Sequence, residues 1–277
     1  MYSQGNLTIN ESSEIYSNEA SQNGGGVFVG GGITSIVNSK IYKNKALVNG
    51  GGALINEGET TLNSVEISEN QANSGGGIAT AGKLSLTSVT VVSNKAIANG
   101  GAIALLAGGN GVLNSGDINS NTALNGGAIY MEGGALNIIG GQIGSDQTSK
   151  ANRATNYGGG VYAVGGKLTM DGGVLGSTVE TIASSVDFAN AANCGSMIYS
   201  TDGAEVIING GVIGRGYSSQ SGGAIYMAGG SVSLASCYVQ YNATSASGGA
   251  IAVYSDASLT LNTNAQIKNN VAAEHGG

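Results

Sequence analysis

Short apolar runs with alternating polar positions recur along this chain with a period of about 26 residues. One run follows a glycine pair, as at residues 128–131, and a second has the form Leu-Thr-Leu-Asn, as at residues 259–262. A third run ends in the motif Ile/Val-x-x-Asn, as at residues 67–70. Runs of four to six residues, each closed by Gly or Asn, leave no room for a helix. The pattern predicts three short β-strands per period.

A period of this length predicts a solenoid, because one repeat cannot bury its own apolar face and must stack on its neighbours. A propeller blade would need about 40 residues. The sequence therefore predicts an all-β fold, a right-handed parallel β-helix of about ten rungs with three strands each, forming a single domain over residues 1–277. The absence of Pro and the 50 Gly residues suit a continuous ladder with sharp corners.

Apolar and Asn side chains recur at fixed positions of the repeat and should stack into three columns. Two apolar columns are expected to fill the interior: one comprises Val27, Leu54, Ile78, Ile103, Ile129, Val161, Ile198, Ile225 and Ile251, and the other Ile15, Ile41, Ile67, Val91, Ile118, Val239 and Ile267. The Asn residues that close the third strand should form an amide ladder, which would stabilise the fold.

Charge excludes some functions. The net charge of −7 argues against nucleic-acid binding, which needs clustered Lys and Arg. Carboxylates are scattered and alternate with Lys in three predicted surface columns, as at Glu14, Lys40 and Glu66, so they indicate surface ion pairs and no catalytic site.

Metal and thiol chemistry have little support in the sequence. His275 is the only His, and the glycine-rich segment at residues 108–111 lacks the Asp of calcium-binding β-helix repeats, so no cofactor and no metal site are expected. Cys194 and Cys237 occupy different positions of the repeat, which disfavours a disulfide. No apolar stretch is long enough to insert this segment into a membrane.

Both ends fall within a repeat and show no polar cap, which terminal repeats of solenoids normally carry. The chain is therefore interpreted as a fragment of a longer protein. Because unpaired strand edges associate, end-to-end self-association of the isolated segment is expected.

The alternating Ile/Val-x-x-Asn and Gly-Gly-Ala-Ile elements resemble the repeats of the chlamydial polymorphic outer-membrane proteins and of related bacterial surface proteins. Ile or Val stands here where the chlamydial motif prefers Phe. The resemblance implies a pectin-lyase-like β-helix, often an autotransporter passenger or adhesin, at the cell surface or outside the cell. A host protein or a glycan is the partner expected for such a rod.

One predicted outward column carries Tyr on four consecutive rungs, at Tyr130, Tyr162, Tyr199 and Tyr226. The same rungs are longer, which predicts loops at residues 145–157, 177–194 and 215–221, with Asp146, Arg153, Arg215 and Tyr217 among their polar and aromatic residues. Loops on rigid scaffolds and exposed aromatic stripes often form recognition surfaces. These eight residues are the candidate ligand-binding site, and no catalytic residue is assigned.

The leading interpretation is a non-enzymatic, extracellular rod for adhesion to host or matrix ligands. The alternative is a carbohydrate-binding or polysaccharide-degrading β-helix that uses the Tyr column. Side-chain packing alone could also explain stacked Tyr residues. Ice binding through the Thr and Ser column of the second strand is disfavoured, because Asn137 and Ile207 interrupt that column.

Overall fold

The computed structural model describes residues 1–277 as a parallel β-helix of ten rungs, in which every strand pairs only with parallel neighbours one rung away. The rungs, numbered here from the N-terminus, pass through four sheets of ten strands each. The only other regular element is a 3-10 turn, Thr148–Lys150. The predicted fold is confirmed, but each rung has four strands where three were predicted.

The first sheet follows the glycine pair, and the second carries the Thr and Ser column. In the first sheet the strands are Tyr2–Ser3, Val27–Val29, Ala53–Ile55, Ile78–Thr80, Ile103–Leu105, Ile129–Glu132, Val161–Val164, Ile198–Thr201, Ile225–Met227 and Ile251–Val253. In the second sheet they are Leu7–Ile9, Ile33–Val37, Glu59–Asn63, Lys83–Thr87, Asn110–Leu113, Ala135–Ile138, Lys167–Met170, Glu205–Ile208, Ser231–Leu234 and Ser258–Leu261.

The third sheet precedes the recurring Asn of the repeat, and the fourth follows it. In the third sheet the strands are Glu14–Tyr16, Lys40–Tyr42, Glu66–Ser68, Val89–Val92, Gly116–Asn119, Gln142–Ile143, Val174–Gly176, Gly211–Gly214, Cys237–Gln240 and Gln266–Lys268. In the fourth sheet they are Glu19–Ala20, Lys45–Ala46, Gln71–Ser74, Lys95–Asn99, Thr122–Asn125, Asn152–Tyr157, Asn190–Ala192, Gly216–Ser218, Ala243–Thr244 and Val271–Ala272.

The fourth sheet is absent from the sequence prediction because its strands carry little of the alternation that marks a strand. Several have two residues, and the inward position is usually Ala, as at Ala46, Ala72 and Ala96. A pattern of one small apolar residue between polar ones resembles a loop more than a strand. Stacking on the neighbouring rungs supplies the backbone hydrogen bonds that make these segments strands.

A continuous apolar core runs along the inside of the helix from Ile9 to Ala250. Both predicted columns are present, and Ile143, Leu175 and Ile213 continue the second column through the middle rungs. On the last rung Ile267 keeps the register but is exposed. The predicted inward position of Leu54 is wrong: Ala53 aligns with Val27, while Leu54 aligns with Phe28 on the outer face.

The error at Leu54 comes from the run of three Gly residues that precedes it. Gly50 has the left-handed φ of 64° and begins the corner, as Gly24 does in the previous repeat with a φ of 65°. Aligning the repeat on Gly51 instead shifts every following side chain by one residue. In a strand, such a shift exchanges the inner and outer faces.

The Asn residues form the predicted ladder inside the corner between the third and fourth sheets. Where the next rung also carries an Asn, the side-chain amide donates to it, as from Asn70 to Asn94 at 3.0 Å, and also to a backbone carbonyl, as from Asn70 to Ile41 at 2.9 Å. The ladder comprises Asn18, Asn44, Asn70, Asn94, Asn121, Asn152, Asn190, Asn242 and Asn270. Gly216 interrupts it at rung eight and donates its backbone amide to Asn242.

The charged columns predicted on the surface also form. The distance from the Lys Nζ to a carboxylate oxygen is 3.4 Å for Lys40 and Glu66, 2.7 Å for Lys45 and Glu19, and 3.9 Å for Lys43 and Glu69. Cys194 and Cys237 are buried free thiols, as predicted.

The first and last rungs each leave one edge of every sheet without a neighbour, and end-to-end association of this chain remains a prediction.

Candidate binding site on the tyrosine column

The tyrosine column lies on the outer face of the first sheet. The parallel register places Tyr130 beside Tyr162, Tyr162 beside Tyr199 and Tyr199 beside Tyr226. Alternation along each strand then buries the preceding residue, such as Ile129, in the core. The structure thus brings together the four tyrosines that the sequence predicted to align.

Two further tyrosines join this column, and sequence reasoning did not assign them. The ring of Tyr157, from the fourth sheet, lies 4.4 Å from that of Tyr199 and 5.8 Å from that of Tyr162. The ring of Tyr254 stacks on Tyr226 at 4.8 Å. Tyr157 occupies the position held by Asn99 and Asn125 in earlier repeats. An aromatic residue in place of Asn at this position, directly before the glycine corner, was the feature of the sequence that could have assigned Tyr157 to the column.

The ring separations within the column match those of favourable aromatic pairs. Tyr199 and Tyr226 are stacked with their centroids 5.0 Å apart, and Tyr162 meets Tyr199 edge-on at 5.2 Å. The four predicted residues and Tyr157 are half-buried, whereas Tyr254 is exposed. The column therefore presents parts of several rings to solvent over consecutive rungs.

The electrostatics of the column favour neutral phenols. Burial raises the pKa of Tyr130 to about 12, with smaller contributions from Glu132, Tyr162 and Asp202. Burial also raises the pKa of Tyr162 and Tyr226. Since the pKa of an exposed Tyr is near 10, these hydroxyls stay protonated at neutral pH and can donate and accept hydrogen bonds.

The outer column is aromatic on the first two rungs, where Tyr2 stacks on Phe28 at 5.3 Å, and again from rung six to rung nine. On the rungs between, its positions are filled by Leu54, Ala79 and Ala104, which are buried and pack with Phe28 and Tyr130. The change to Tyr coincides with the two long insertions of the chain. These middle and later rungs are where the surface departs from a regular scaffold.

The insertions leave the helix between the third and fourth sheets, over residues 144–151 and 177–189. The loops predicted at 145–157 and 177–194 are therefore too long, because Asn152–Tyr157 and Asn190–Ala192 are strands of the fourth sheet. The loop predicted at 215–221 is wrong for its first half, since Gly216–Ser218 is also a strand of that sheet.

Asp146 and Arg215 belong to a latch that joins the two insertions, made of Asp146, Thr148, Ser177, Asp187 and Arg215. The Arg215 guanidinium pairs with Asp187 and donates to the backbone carbonyl of Asp146 at 3.2 Å, while Thr148 donates to Asp187 at 2.8 Å. The Arg215 side chain is 3% exposed. Arg215 was predicted in an exposed loop, but the structure buries it, so its position suits holding the insertions in place.

Arg153 and Tyr217 lie on a third part of the surface, the outer face of the fourth sheet. They occupy one column, with Ala191 between them. Arg153 lies over the Phe188 ring at 4.4 Å, and Phe188 stacks with Tyr217 at 6.2 Å. The eight predicted residues thus fall into the tyrosine column, the latch and this outer column of the fourth sheet.

We expect the latch to stabilise the fold in a pH-dependent way. The pKa of Asp187 is lowered by its hydrogen bond from Thr148 and by Arg215, against the opposing effect of burial. The folded-state pKa of Asp187 lies below the ordinary value of 3.8. The stabilisation is therefore complete above pH 3.8 and is lost as the pH falls through the folded-state pKa. Asp187→Asn should cost about 1–2 kcal/mol at pH 7, less than a fully buried pair, because half of Asp187 is exposed.

Denaturant unfolding at pH 7 and pH 3 measures this effect. The difference in the free energy of unfolding between the parent and Asp187→Asn should be smaller at pH 3. Glu205→Gln is the matched control, because its partner Lys167 is exposed and the pair should contribute less than about 1 kcal/mol. An equal loss at both pH values for Asp187→Asn would contradict an ionic role.

Other sites for chemistry are not apparent. No group of three or more His, Cys, Asp or Glu residues is arranged to hold a metal ion. Among the neighbouring acidic residues Asp171, Asp202 and Glu205, Glu205 pairs with Lys167 at 3.3 Å and Asp171 accepts a hydrogen bond from Asn209 at 2.9 Å. The chain forms no helix of the length and apolarity needed to cross a membrane.

The fold and this surface define a β-solenoid with an aromatic column on one outer face. Comparisons with family models, curated proteins and solved structures returned no match.

Proposed function

We propose that this chain is a non-enzymatic segment of a cell-surface or extracellular protein, a rigid rod that adheres to host or matrix ligands through its tyrosine column. The observation that carries the proposal is the half-buried column of Tyr130, Tyr162, Tyr199 and Tyr226, extended by Tyr157 and Tyr254. Tyr is favoured at binding surfaces because it offers a large rigid ring and a polar hydroxyl at low entropic cost. The extracellular location is proposed from the repeats' resemblance to those of bacterial surface proteins.

The rigid rod supports a role in presenting the tyrosine column to a ligand. Ten rungs with spacings of about 4.8 Å give a helix about 45 Å long. The core and the Asn ladder keep this scaffold regular. A rigid scaffold lowers the entropic cost of ordering the binding surface when a ligand arrives.

The central test is a double substitution in the column. Tyr162→Ala with Tyr199→Ala should weaken binding to the cognate ligand by at least about 30-fold, because central aromatic residues each contribute about 2 kcal/mol or more at interfaces. Binding is measured on a glycan array and on immobilised matrix proteins. Circular dichroism and melting of the variant establish that the helix is intact.

Two further variants separate recognition from packing. Tyr16→Ala with Tyr42→Ala removes a stacked pair on the third sheet, 5.0 Å apart, and should leave binding unchanged. Tyr162→Phe with Tyr199→Phe keeps the rings and should retain more binding than the Ala pair. If the Ala pair binds as well as the parent, the tyrosine column is packing and the proposal fails.

The second candidate is a carbohydrate-binding or polysaccharide-degrading β-helix that uses the same face. Glu132 and Asp202 favour it, since both carboxylates are close enough to raise the pKa of Tyr130. That raised pKa opposes a role for Tyr130 as a base at neutral pH. We therefore expect binding without turnover, and release of oligosaccharides from a polymer would establish the enzyme instead.

A further inference from the structure

A shallow groove runs along the outer face of the fourth sheet, next to the tyrosine column but separate from it. It consists of two adjoining clefts of about 480 and 320 Å³, which share Thr122, Ala123 and Thr155. Small residues form its floor. Phe188 and Tyr217 line one end and Ile97 and Leu124 the other.

The groove follows the axis of the helix across five rungs. Its outer column reads Lys95, Thr122, Arg153, Ala191 and Tyr217, each in register with the next. Four steps of about 4.8 Å make this column about 19 Å long. A linear polymer lying parallel to the axis would therefore meet a cation, a hydroxyl, a second cation and an aromatic ring in turn.

The charge of the groove is opposite to that of the chain. Neither cleft is lined by a carboxylate, although the net charge of the chain is −7. Five of the ten Lys and Arg residues are held in ion pairs, and the other five are Lys83, Lys95, Lys150, Arg153 and Lys268. Two of these five lie in the groove, and Lys150 lies in the turn that leads into the strand of Arg153.

The carboxylate that adjoins the groove in the sequence is already engaged. Asp187 precedes Phe188 in the wall of the groove, but it pairs with Arg215 and accepts a hydrogen bond from Thr148. Arg153 therefore keeps its charge available, with its guanidinium over the Phe188 ring and one hydrogen bond to the carbonyl of Thr148 at 3.2 Å. The arrangement leaves free positive charge beside an aromatic wall.

We propose that this groove binds an acidic polysaccharide, a linear chain of carboxylate-bearing sugars, with Arg153 and Lys95 contacting carboxylates and Tyr217 packing on a sugar ring. Hydroxyl and amide groups of Thr122, Thr155 and Asn193 also line the groove and can form hydrogen bonds with sugar hydroxyls. The site does not depend on the tyrosine column. The two proposals can therefore fail separately.

Other polyanions fit the groove less well. The strands beneath it pair with both neighbours, so an acidic peptide cannot add as a further strand. Nucleic acids need many phosphate contacts from clustered Lys and Arg, and the groove offers two cations. A rigid polymer with spaced charges suits two cations that are two rungs apart.

The test measures binding of fluorescently labelled polygalacturonate oligosaccharides, with the fully methyl-esterified form as the uncharged control. The parent should bind the acidic form, bind it more weakly as salt rises, and bind the ester much less. Arg153→Gln and Lys95→Gln should each weaken binding about fivefold, as expected for the loss of about 1 kcal/mol in one ion pair. Tyr217→Ala should weaken binding of both forms.

Lys83→Gln is the matched control, because it removes an unpaired, exposed cation from the second sheet. It should leave binding unchanged. Equal weakening by Lys83→Gln and Arg153→Gln would show unspecific attraction and overturn the proposal. Absence of binding by the parent, or tighter binding of a polyglutamate peptide than of the oligosaccharide, would overturn it as well.

Discussion

Replacing Ile129 by Asp should lower the free energy of unfolding by more than about 4 kcal/mol, or prevent folding altogether. Ile129 is fully buried in the core, and its position is enclosed by the four sheets. A carboxylate there would have no ion-pair partner, and burial of an unpaired charge is among the most destabilising changes a protein can undergo. Ile225→Asp should behave in the same way, because Ile225 occupies the same column.

Glu66→Ala provides the comparison. Glu66 pairs with Lys40 at 3.4 Å on the surface, where both side chains are well exposed, so its loss should cost less than about 1 kcal/mol. Denaturant unfolding of the variants measures the difference. Equal damage from the two kinds of substitution would mean that the inner and outer faces of the strands are assigned wrongly.

Breaking the Asn ladder should have the second-largest effect. The Asn121 side chain donates to Asn152 at 3.0 Å and to the carbonyl of Val91 at 2.9 Å, and it accepts from the backbone amide of Asn94 at 2.9 Å. Asn121→Ala leaves these buried groups without partners, and each unsatisfied group costs about 1–3 kcal/mol. We expect a loss of about 3–5 kcal/mol in the free energy of unfolding.

Asn209→Ala is the matched control for the ladder, because Asn209 is exposed and makes one side-chain hydrogen bond, to Asp171 at 2.9 Å. It should change stability by less than about 1 kcal/mol. A cost for Asn121→Ala no larger than for Asn209→Ala would contradict a structural role for the ladder.

The ladder has one natural gap, at Gly216, where neighbouring groups compensate for the missing Asn side chain. This compensation is consistent with a large loss of stability when an Asn is removed elsewhere in the ladder. At Gly216, where no amide side chain is present, Asn242 still accepts the backbone amide of Gly216 at 2.8 Å. The freed amide of Asn190 turns to the sulfur of Met197 at 3.2 Å and keeps its bond to the carbonyl of Ile143. A Cβ atom on Gly216 would clash with Ser196 Oγ, so Ser196 and Gly216 fit together at this rung.

Much of the candidate site was predictable because it follows from the register of stacked repeats. Identical positions of successive rungs must align, so the repeat pattern alone places Tyr162 and Tyr199 side by side. It does not place Tyr157 there, because Tyr157 reaches the column around a corner from another sheet. The pairing of Arg215 with Asp187 spans an insertion without periodicity, and no spacing rule predicts such a contact.

The sequence by itself determined the parallel β-helix, its ten rungs, the Asn ladder and the charged columns, because a short period forces like residues to stack at one spacing. Only the tertiary structure decided that a fourth strand closes each rung, since its residues become a strand through hydrogen bonds to neighbouring rungs. The tertiary structure likewise decided where the insertions fold. Their contacts depend on packing against the side of the helix, as where Phe188 meets Tyr217, and not on the repeat.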